Sequence, residues 1–160
     1  MSDGAAIRIA VTPGDPNGIG PEVVLRALHR WHGPQVRWVL VGPREVWARA
    51  AAITGVPLPS GRGKVVLQEL SGVKGYVPAP GRIRVDAARV SLACLAAAVD
   101  GCLDGTFDGV VTAPICKEGW ERAGVDVPGH TEWLADRAGV DEVGMMLLGK
   151  GLRVTLATRH

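Results

Sequence analysis

The sequence predicts an α/β protein, and three observations lead to that fold class. Short apolar runs rich in β-branched residues alternate with longer segments in which apolar residues recur at helical spacing. Glycine, proline and serine cluster between these segments, where turns and loops are expected. The chain has 160 residues, which is enough for one domain with a hydrophobic core. Together these features are typical of alternating strands and helices.

Composition argues against several classes of protein. Hydrophobic residues make up 47% of the chain and charged residues 21%, as in a soluble globular protein. The net charge of +2 is too small to indicate a nucleic-acid or membrane partner. No apolar run approaches the ~20 residues of a membrane-spanning helix, and Met1–Ala6 does not resemble a secretory signal. The three cysteines show no C-x-x-C spacing, so a disulfide framework or zinc knot is not expected and a cytoplasmic location is predicted.

The first element is a buried parallel strand predicted at Ile7–Val11. It leads into Thr12–Glu22, where three prolines and three glycines in eleven residues indicate a tight loop. Pro21 is expected at the first position of a helix over 22–31. Such a loop can bring backbone N–H groups close to a phosphate, carboxylate or nucleotide, so Gly14 and Asp15 are candidate ligand-binding residues. The alternative is an ordinary connection, and neither G-x-G-x-x-G nor a Walker sequence is present.

The remaining elements continue the alternation of strands and helices. The link from Gly149 to Gly151 is so short that the last two strands should form an antiparallel hairpin. Residues 71–84 are expected to be irregular because they are rich in glycine and proline. The other predicted strands are 36–41, 65–67, 107–112, 143–148 and 152–158, and the other predicted helices are 43–53, 90–103, 117–122 and 132–138.

The stretch Thr112–Glu132 combines several side chains that can carry chemistry, among them Lys117, His130 and Thr131. A proline and a glycine break regular structure just before the last two, which then stand at the start of a predicted helix. A helix start offers N–H groups and the positive end of the dipole, so His130 and Thr131 are well placed to hold an anion. Thr131 is also predicted to cap this helix through its hydroxyl. A plain helix cap with a neighbouring surface histidine is the competing interpretation.

The other histidines give little evidence of a metal site by spacing alone. His29 and His32 lie near the end of the first helix, where the helix dipole explains them as structural or solvated residues. His160 ends a predicted strand, and open α/β sheets place ligands at strand ends. Zinc usually takes three or four protein ligands, and nothing else is spaced to join His160 locally.

Four blocks of the sequence resemble the 4-hydroxythreonine-4-phosphate dehydrogenase family of vitamin B6 biosynthesis. They are Val11–Glu22, Val111–Lys117, Pro128–Glu132 and Leu152–His160. The blocks follow the family's order and reach from end to end of the chain. Each alone is weak, but the combination is specific.

The resemblance implies a two-domain α/β fold similar to isocitrate and isopropylmalate dehydrogenases, with residues 1–112 in the first domain and 113–160 beginning a substrate- and metal-binding second domain. It implies NAD or NADP as cofactor, a divalent metal (zinc, magnesium, manganese or cobalt) and a homodimer. The expected reaction oxidises 4-phosphohydroxy-L-threonine to a ketone that then loses carbon dioxide. Related members oxidise phosphothreonate, phosphoerythronate or aromatic dihydrodiols.

The resemblance also implies roles for individual residues. His130 and Thr131 would contact the substrate, and His160 would be a metal ligand. Lys117 would be catalytic. Two positions depart from the family pattern, because Cys116 stands where Asn or His is common and Arg159 where Thr is common.

Family members are considerably longer than this chain, so we interpret it as an N-terminal portion, truncated after the N-terminal half. The remaining metal-binding histidines and much of the cofactor site would follow residue 160. We therefore expect the chain alone to lack dehydrogenase activity. A non-catalytic anion-binding module and an unstable, aggregating remnant are the alternatives.

Overall fold

The computed structural model describes residues 6–33, 35–59, 63–126 and 129–157. The chain divides into two compact units, Met1–Asp126 and Val127–His160, and each is described by itself. The domain boundary expected after Thr112 concerns the longer proteins of the family and stays a prediction. No helix in the described ranges is long and apolar enough to cross a membrane.

The described residues form strands and helices close to those predicted. In the first unit these are β1 (Ile7–Thr12), α1 (Gly20–His29), β2 (Val36–Val41), α2 (Arg44–Thr54), β3 (Val65–Gln68), α3 (Val85–Leu103), β4 (Gly109–Thr112) and α4 (Lys117–Arg122), with a 3-10 turn at Ser71–Val73. In the second unit they are α5 (His130–Ala138), β5 (Met146–Gly149) and β6 (Leu152–Thr155).

The first unit is built on a four-stranded parallel sheet with the strand order β3-β2-β1-β4. The chain moves outward from β1 to β3 and then crosses back to place β4 on the other side of β1. Right-handed crossovers in opposite directions put their helices on opposite faces of a sheet. The predicted α/β class is confirmed. All four strands are parallel, but β2 and β3 are added on one side of β1 and β4 on the other, so the strand order reverses between β1 and β4.

Two apolar cores lie on the two faces of this sheet, because alternate strand residues point to opposite sides. Helices α1 and α2 cover one face and α3 covers the other. The first core contains Val11, Val24, Leu25, Leu40, Trp47, Ala50 and Ala113. The second contains Ala10, Val39, Val41, Val90, Cys94, Ala98 and Phe107. Burial raises the pKa of the Cys94 thiol to about 12, so this cysteine acts as an apolar core residue.

Two element boundaries differ from the prediction for identifiable reasons. Helix α3 begins at Val85 instead of residue 90. Its first turn contains Asp86, which favours a helix N-terminus and pairs with Arg84. Strand β4 begins at Gly109 instead of residue 107, because Phe107 is buried and its ring lies against Gly101 of α3.

Asn17 fastens the loop after β1 to the irregular segment that precedes α3. Its Oδ1 accepts hydrogen bonds from the Tyr76 hydroxyl and the Ala79 N–H, both at 2.7 Å. Its Nδ2 donates to the Arg82 carbonyl at 2.8 Å, and its own carbonyl accepts from Gly81 N–H at 2.9 Å. Asn17 is 3% exposed, so this buried amide holds two loops that have no regular structure of their own.

The second unit consists of α5 and the predicted antiparallel hairpin, in which Met146 pairs with Thr155 and Gly149 with Leu152. The hairpin is confirmed, although its strands are shorter than predicted at 143–148 and 152–158. Its large apolar side chains are exposed, with Leu148 at 72%. The end of the last predicted strand, at residue 158, lies outside the described residues.

Replacing Asn17 with alanine is expected to lower the free energy of unfolding by about 2–3 kcal/mol, because buried backbone groups of the neighbouring segment lose their partners. Tyr76→Phe removes a single hydrogen bond and should cost about 1 kcal/mol. Urea denaturation measures both values. Gln68→Ala, which removes an exposed amide, is the control and should change stability little. An Asn17→Ala protein as stable as this control would contradict the role of Asn17.

Gly101→Ala is expected to destabilise the protein although alanine is the better helix former. A Cβ atom at residue 101 would lie 2.4 Å from Cδ2 of Phe107. Overpacking of this kind costs about 1–3 kcal/mol, which exceeds the ~1 kcal/mol gain in helix propensity. In a Phe107→Ala background the same change should instead stabilise the protein. Thermal unfolding of the four proteins tests the pair, and a more stable Gly101→Ala single variant would refute the steric argument.

Candidate functional site

The carboxyl ends of β1 and β4 meet at the point where the strand order reverses, which is where open α/β sheets bind ligands. The loops that follow these strands are in direct contact, because Asp15 N–H donates to the Pro114 carbonyl at 2.9 Å. Gly14 has a φ of 65°, and a Cβ atom there would lie 2.2 Å from the Pro114 oxygen. Only glycine fits this approach, so the structure brings the predicted ligand loop against the segment that leads to Lys117.

Asp15 is a half-buried carboxylate at this edge. Burial raises the pKa of the Asp15 carboxyl above its ordinary value, and a hydrogen bond from the backbone of Asn17 acts in the opposite direction. That N–H donates to Asp15 Oδ1 at 2.9 Å. The carboxyl therefore has a fixed orientation and an increased tendency to keep its proton.

A small cavity of about 10 Å³ adjoins Asp15 and has roughly the size that holds one water molecule. Its polar lining comes from Asp15, Arg84, Ser91 and Cys116. The buried Ser91 hydroxyl accepts a hydrogen bond from Trp120 Nε1 at 3.3 Å, which fixes α4 against α3. The cavity is too small for an organic substrate. The residues that line it therefore hold the loops at this edge of the sheet in place and do not bind a large ligand.

Lys117 is the first residue of α4, and its side chain is exposed. Cys116 caps this helix, because its sulfur accepts a hydrogen bond from Gly119 N–H at 3.4 Å. The cap holds the start of α4 beside the cavity. Lys117 and Asp15 therefore follow neighbouring strands of one sheet, while the catalytic role of Lys117 stays a prediction.

The second unit contains the other predicted substrate-binding residues. Helix α5 begins at His130 with Gly129 as its N-cap, so the prediction that Thr131 caps the helix is wrong. The chain is already helical at Thr131, and the extended residue before the helix is a glycine that has no side chain to cap it. His130 and Thr131 are both half-buried in the first turn, where an anion is favoured, although Glu132 is in the same turn. Their roles in substrate binding stay predictions.

The predicted metal site lies largely beyond what the structure describes. His160 and Arg159 are outside the described residues. Within the described ranges, no group of three or more histidine, cysteine, aspartate or glutamate side chains is arranged to hold a metal ion. His29 and His32, interpreted as structural or solvated, are exposed at the end of α1 and just beyond it.

The sequence analysis missed two residues that shape the first unit's edge. Asn17 was seen only as part of a turn-rich loop, although an amide surrounded by proline and glycine can satisfy backbone groups that regular structure cannot. Arg84 lines the cavity and its Nε donates to Asp86 Oδ1 at 2.9 Å. An arginine and an aspartate two residues apart, just before a helical pattern, were the sequence signal that could have predicted this ion pair.

Comparison with known proteins gives the family. The family model described as pyridoxal phosphate biosynthetic protein PdxA matches residues 35–160. The 4-hydroxythreonine-4-phosphate dehydrogenase of Chromobacterium violaceum is 41% identical over 164 residues, which cover 95% of this chain and 48% of the relative.

Solved structures agree with this assignment. A 4-hydroxythreonine-4-phosphate dehydrogenase from Burkholderia phymatum matches with a TM-score of 0.80 and 30% identity, covering 94% of this chain and 49% of that one. A terephthalate 1,2-cis-dihydrodiol dehydrogenase from Burkholderia xenovorans LB400 matches with a TM-score of 0.74 and 26% identity, covering 94% and 47%.

The chain spans about half the length of the curated relatives that it matches. The family-model match over residues 35–160 includes β4 and the first turn of α5, while β1 lies before it. The parallel sheet with helices on both faces, the sequence identity and the family model agree, and the chain belongs to the PdxA family of pyridoxal phosphate biosynthetic proteins.

Proposed function

We propose that this protein takes part in the oxidation of 4-phosphohydroxy-L-threonine by an NAD- or NADP-dependent and divalent-metal-dependent dehydrogenase of pyridoxal phosphate biosynthesis. The observation that carries the proposal is the 41% identity over nearly the whole chain to a protein named 4-hydroxythreonine-4-phosphate dehydrogenase. Further relatives with the same name match at similar identity. The named reaction is that of the full-length relatives, of whose length this chain spans about half.

The first turn of α5 is the proposed binding site for the phosphate of the substrate. Backbone N–H groups of a first helical turn have no acceptors within the helix, and the helix dipole attracts an anion there. The Thr131 hydroxyl would add a hydrogen bond to a phosphate oxygen, and His130 would add one from its ring. Holding the phosphate end fixes the distance between the reacting hydroxyl and the catalytic groups.

The edge formed by β1 and β4 is proposed to supply further contacts. Gly14 allows the close approach of two loops, and a hydrogen bond from Asn17 orients Asp15. Burial raises the pKa of Asp15, as is typical of functional carboxyls. We propose that Asp15 hydrogen-bonds a ligand and that Lys117 assists proton transfer from the substrate hydroxyl.

A divalent metal would lower the pKa of the substrate hydroxyl and stabilise the charge that forms during decarboxylation. His160 is proposed as one of its ligands. The described residues do not by themselves form a metal-ligand set.

A second candidate substrate is an aromatic dihydrodiol, because a terephthalate dihydrodiol dehydrogenase is among the similar structures. Such a substrate has no phosphate for the first turn of α5. The two candidates therefore differ in whether Thr131 matters. Loss of the Thr131 hydroxyl should impair oxidation of the phosphorylated substrate and leave oxidation of a dihydrodiol that carries no carboxylate nearly unchanged.

The chain alone is expected to show no steady reduction of NAD or NADP with 4-phosphohydroxy-L-threonine and divalent metal. Activity should appear when it is co-expressed with the C-terminal half of the Chromobacterium violaceum relative, and the active complex should contain two copies of this chain.

In that complex, His130→Ala should lower kcat/KM by about 10²-fold through lost positioning. Thr131→Val should lower it by roughly 10-fold or more, as expected for a hydrogen bond to a charged group.

His29→Ala, which removes an exposed histidine of α1, is the matched control and should leave kcat/KM unchanged. Equal activity of the His130→Ala and His29→Ala complexes would refute the proposed phosphate site. Steady turnover by the isolated chain would refute the expectation that the 160-residue chain alone is inactive.

Asp15→Asn is expected to raise stability at neutral pH and to lower activity. The folded-state pKa of Asp15 is raised, so its ionisation opposes folding and stability falls as pH rises through that pKa. Asparagine keeps the hydrogen bond from Asn17 N–H without the charge. The stabilisation should vanish below about pH 4, where the carboxyl is protonated in both states. Urea denaturation at neutral pH and below about pH 4 measures this difference in stability.

A roughly tenfold lower kcat/KM of the Asp15→Asn protein in the co-expressed complex would support ligand binding by Asp15, and unchanged activity would contradict it.

A further inference from the structure

Three cations lie side by side across the parallel sheet, at the end opposite the candidate site. Arg8 in β1 is the direct register partner of Arg37 in β2. Trp38 pairs with Val65, and its N–H donates to the Lys64 carbonyl at 2.7 Å, so Lys64 stands beside Arg37. Arg8, Arg37 and Lys64, called the basic row below, therefore lie at one level of the sheet, with Arg8 and Arg37 in neighbouring strands and Lys64 immediately before β3.

The basic row lies on one face of the sheet. Side chains alternate along a strand, so Arg8 shares its face with Ala10, and Arg37 shares its face with Val39. Ala10 and Val39 both belong to the core beneath α3. Neighbouring strands are about 4.8 Å apart, which keeps the three cationic side chains within reach of one small ligand.

Within the described residues, Arg8 is the one member of the basic row that has acidic groups beside it. Arg8 donates from its backbone to Asp108 Oδ2 at 2.7 Å and from Nη2 to the Gly105 carbonyl at 2.8 Å. The Asp104 carboxylate also lies near Arg8; hydrogen bonds from Thr106 are the main cause that lowers the pKa of Asp104, and the charge of Arg8 lowers it further. Arg37 and Lys64 are exposed and have no ion-pair partner within the described residues.

Neither sheet stability nor protection of a sheet edge explains this arrangement. Like charges directly opposite on adjacent strands destabilise a sheet. Lysine at an edge strand prevents pairing with other chains, which accounts for Lys64 immediately before β3. Arg37 belongs to the interior strand β2, where there is no edge to protect. The pairing of Arg37 with a second arginine and a lysine requires another reason.

We propose that the basic row is a binding site for a small phosphate-bearing anion, held between Arg37 and Lys64 with Arg8 beside it. Arginine matches phosphate oxygens with paired hydrogen bonds, and lysine adds a compact positive charge. An anion at this place would remove the repulsion between the register partners. Three neighbouring cations form a surface of the size that a small ligand occupies. The net charge of +2 is too small for the extended basic surface that binds nucleic acid.

The site is independent of the proposed dehydrogenase function, because it lies at the amino ends of the strands and the candidate site of the same unit at their carboxyl ends. Binding of inorganic pyrophosphate to the 160-residue chain, measured by isothermal titration calorimetry at fixed ionic strength, tests it. Arg37→Gln and Lys64→Gln should each weaken binding at least tenfold. Without the anion, both variants should melt at the same temperature as the original protein or higher, because repulsion is relieved.

The matched control is the double variant Lys74→Gln/Arg89→Gln, which removes two exposed cations that line a separate 280 Å³ groove of the first unit. It should bind pyrophosphate as the original protein does. The proposal is overturned if this control abolishes binding or if the Arg37 and Lys64 variants keep it. It is also overturned if sodium chloride at matched ionic strength raises the melting temperature as much as pyrophosphate does.

Discussion

The buried amide of Asn17 is the interaction on which the arrangement of the first unit's loops depends. The loop after β1 and the segment before α3 are both rich in proline and glycine, so neither can satisfy its backbone by regular hydrogen bonding. The Asn17 side chain accepts two hydrogen bonds from the second loop and donates one to it, and the Asn17 backbone N–H donates to the Asp15 carboxylate. The position of α3, and with it the lining of the cavity beside Asp15, follows from this connection.

The strands and helices were predictable because their signals are local. Apolar runs such as β1 and the alanine-rich α3 carry their period in the sequence, and the short link between β5 and β6 left only a hairpin. The errors occurred where a tertiary contact decides. The burial of Phe107 against Gly101 shortens β4, and no pattern within five residues of either one reveals it. The likeness to the isocitrate dehydrogenase fold stays a prediction from the resemblance.

The candidate site was predictable only in part, because its residues come from segments far apart in the chain. Proline and glycine before His130 located the start of α5 within two residues, but they could not show that Gly129 and not Thr131 is the cap. Parallel pairing of β1 with β4 brings Gly14 beside Pro114, a contact that depends on strand order. Strand order is set by packing over the whole sheet, and local sequence contains little of that information.

The β5–β6 hairpin differs from the first unit in how its apolar side chains are hydrated. Leu147, Leu148 and Leu152 are each more than half exposed, so water already surrounds them in the folded chain. Heat capacity rises on unfolding mainly because buried apolar surface becomes hydrated. The hairpin therefore adds little to that change, and the curvature of stability with temperature is a property of the four-stranded sheet and its helices.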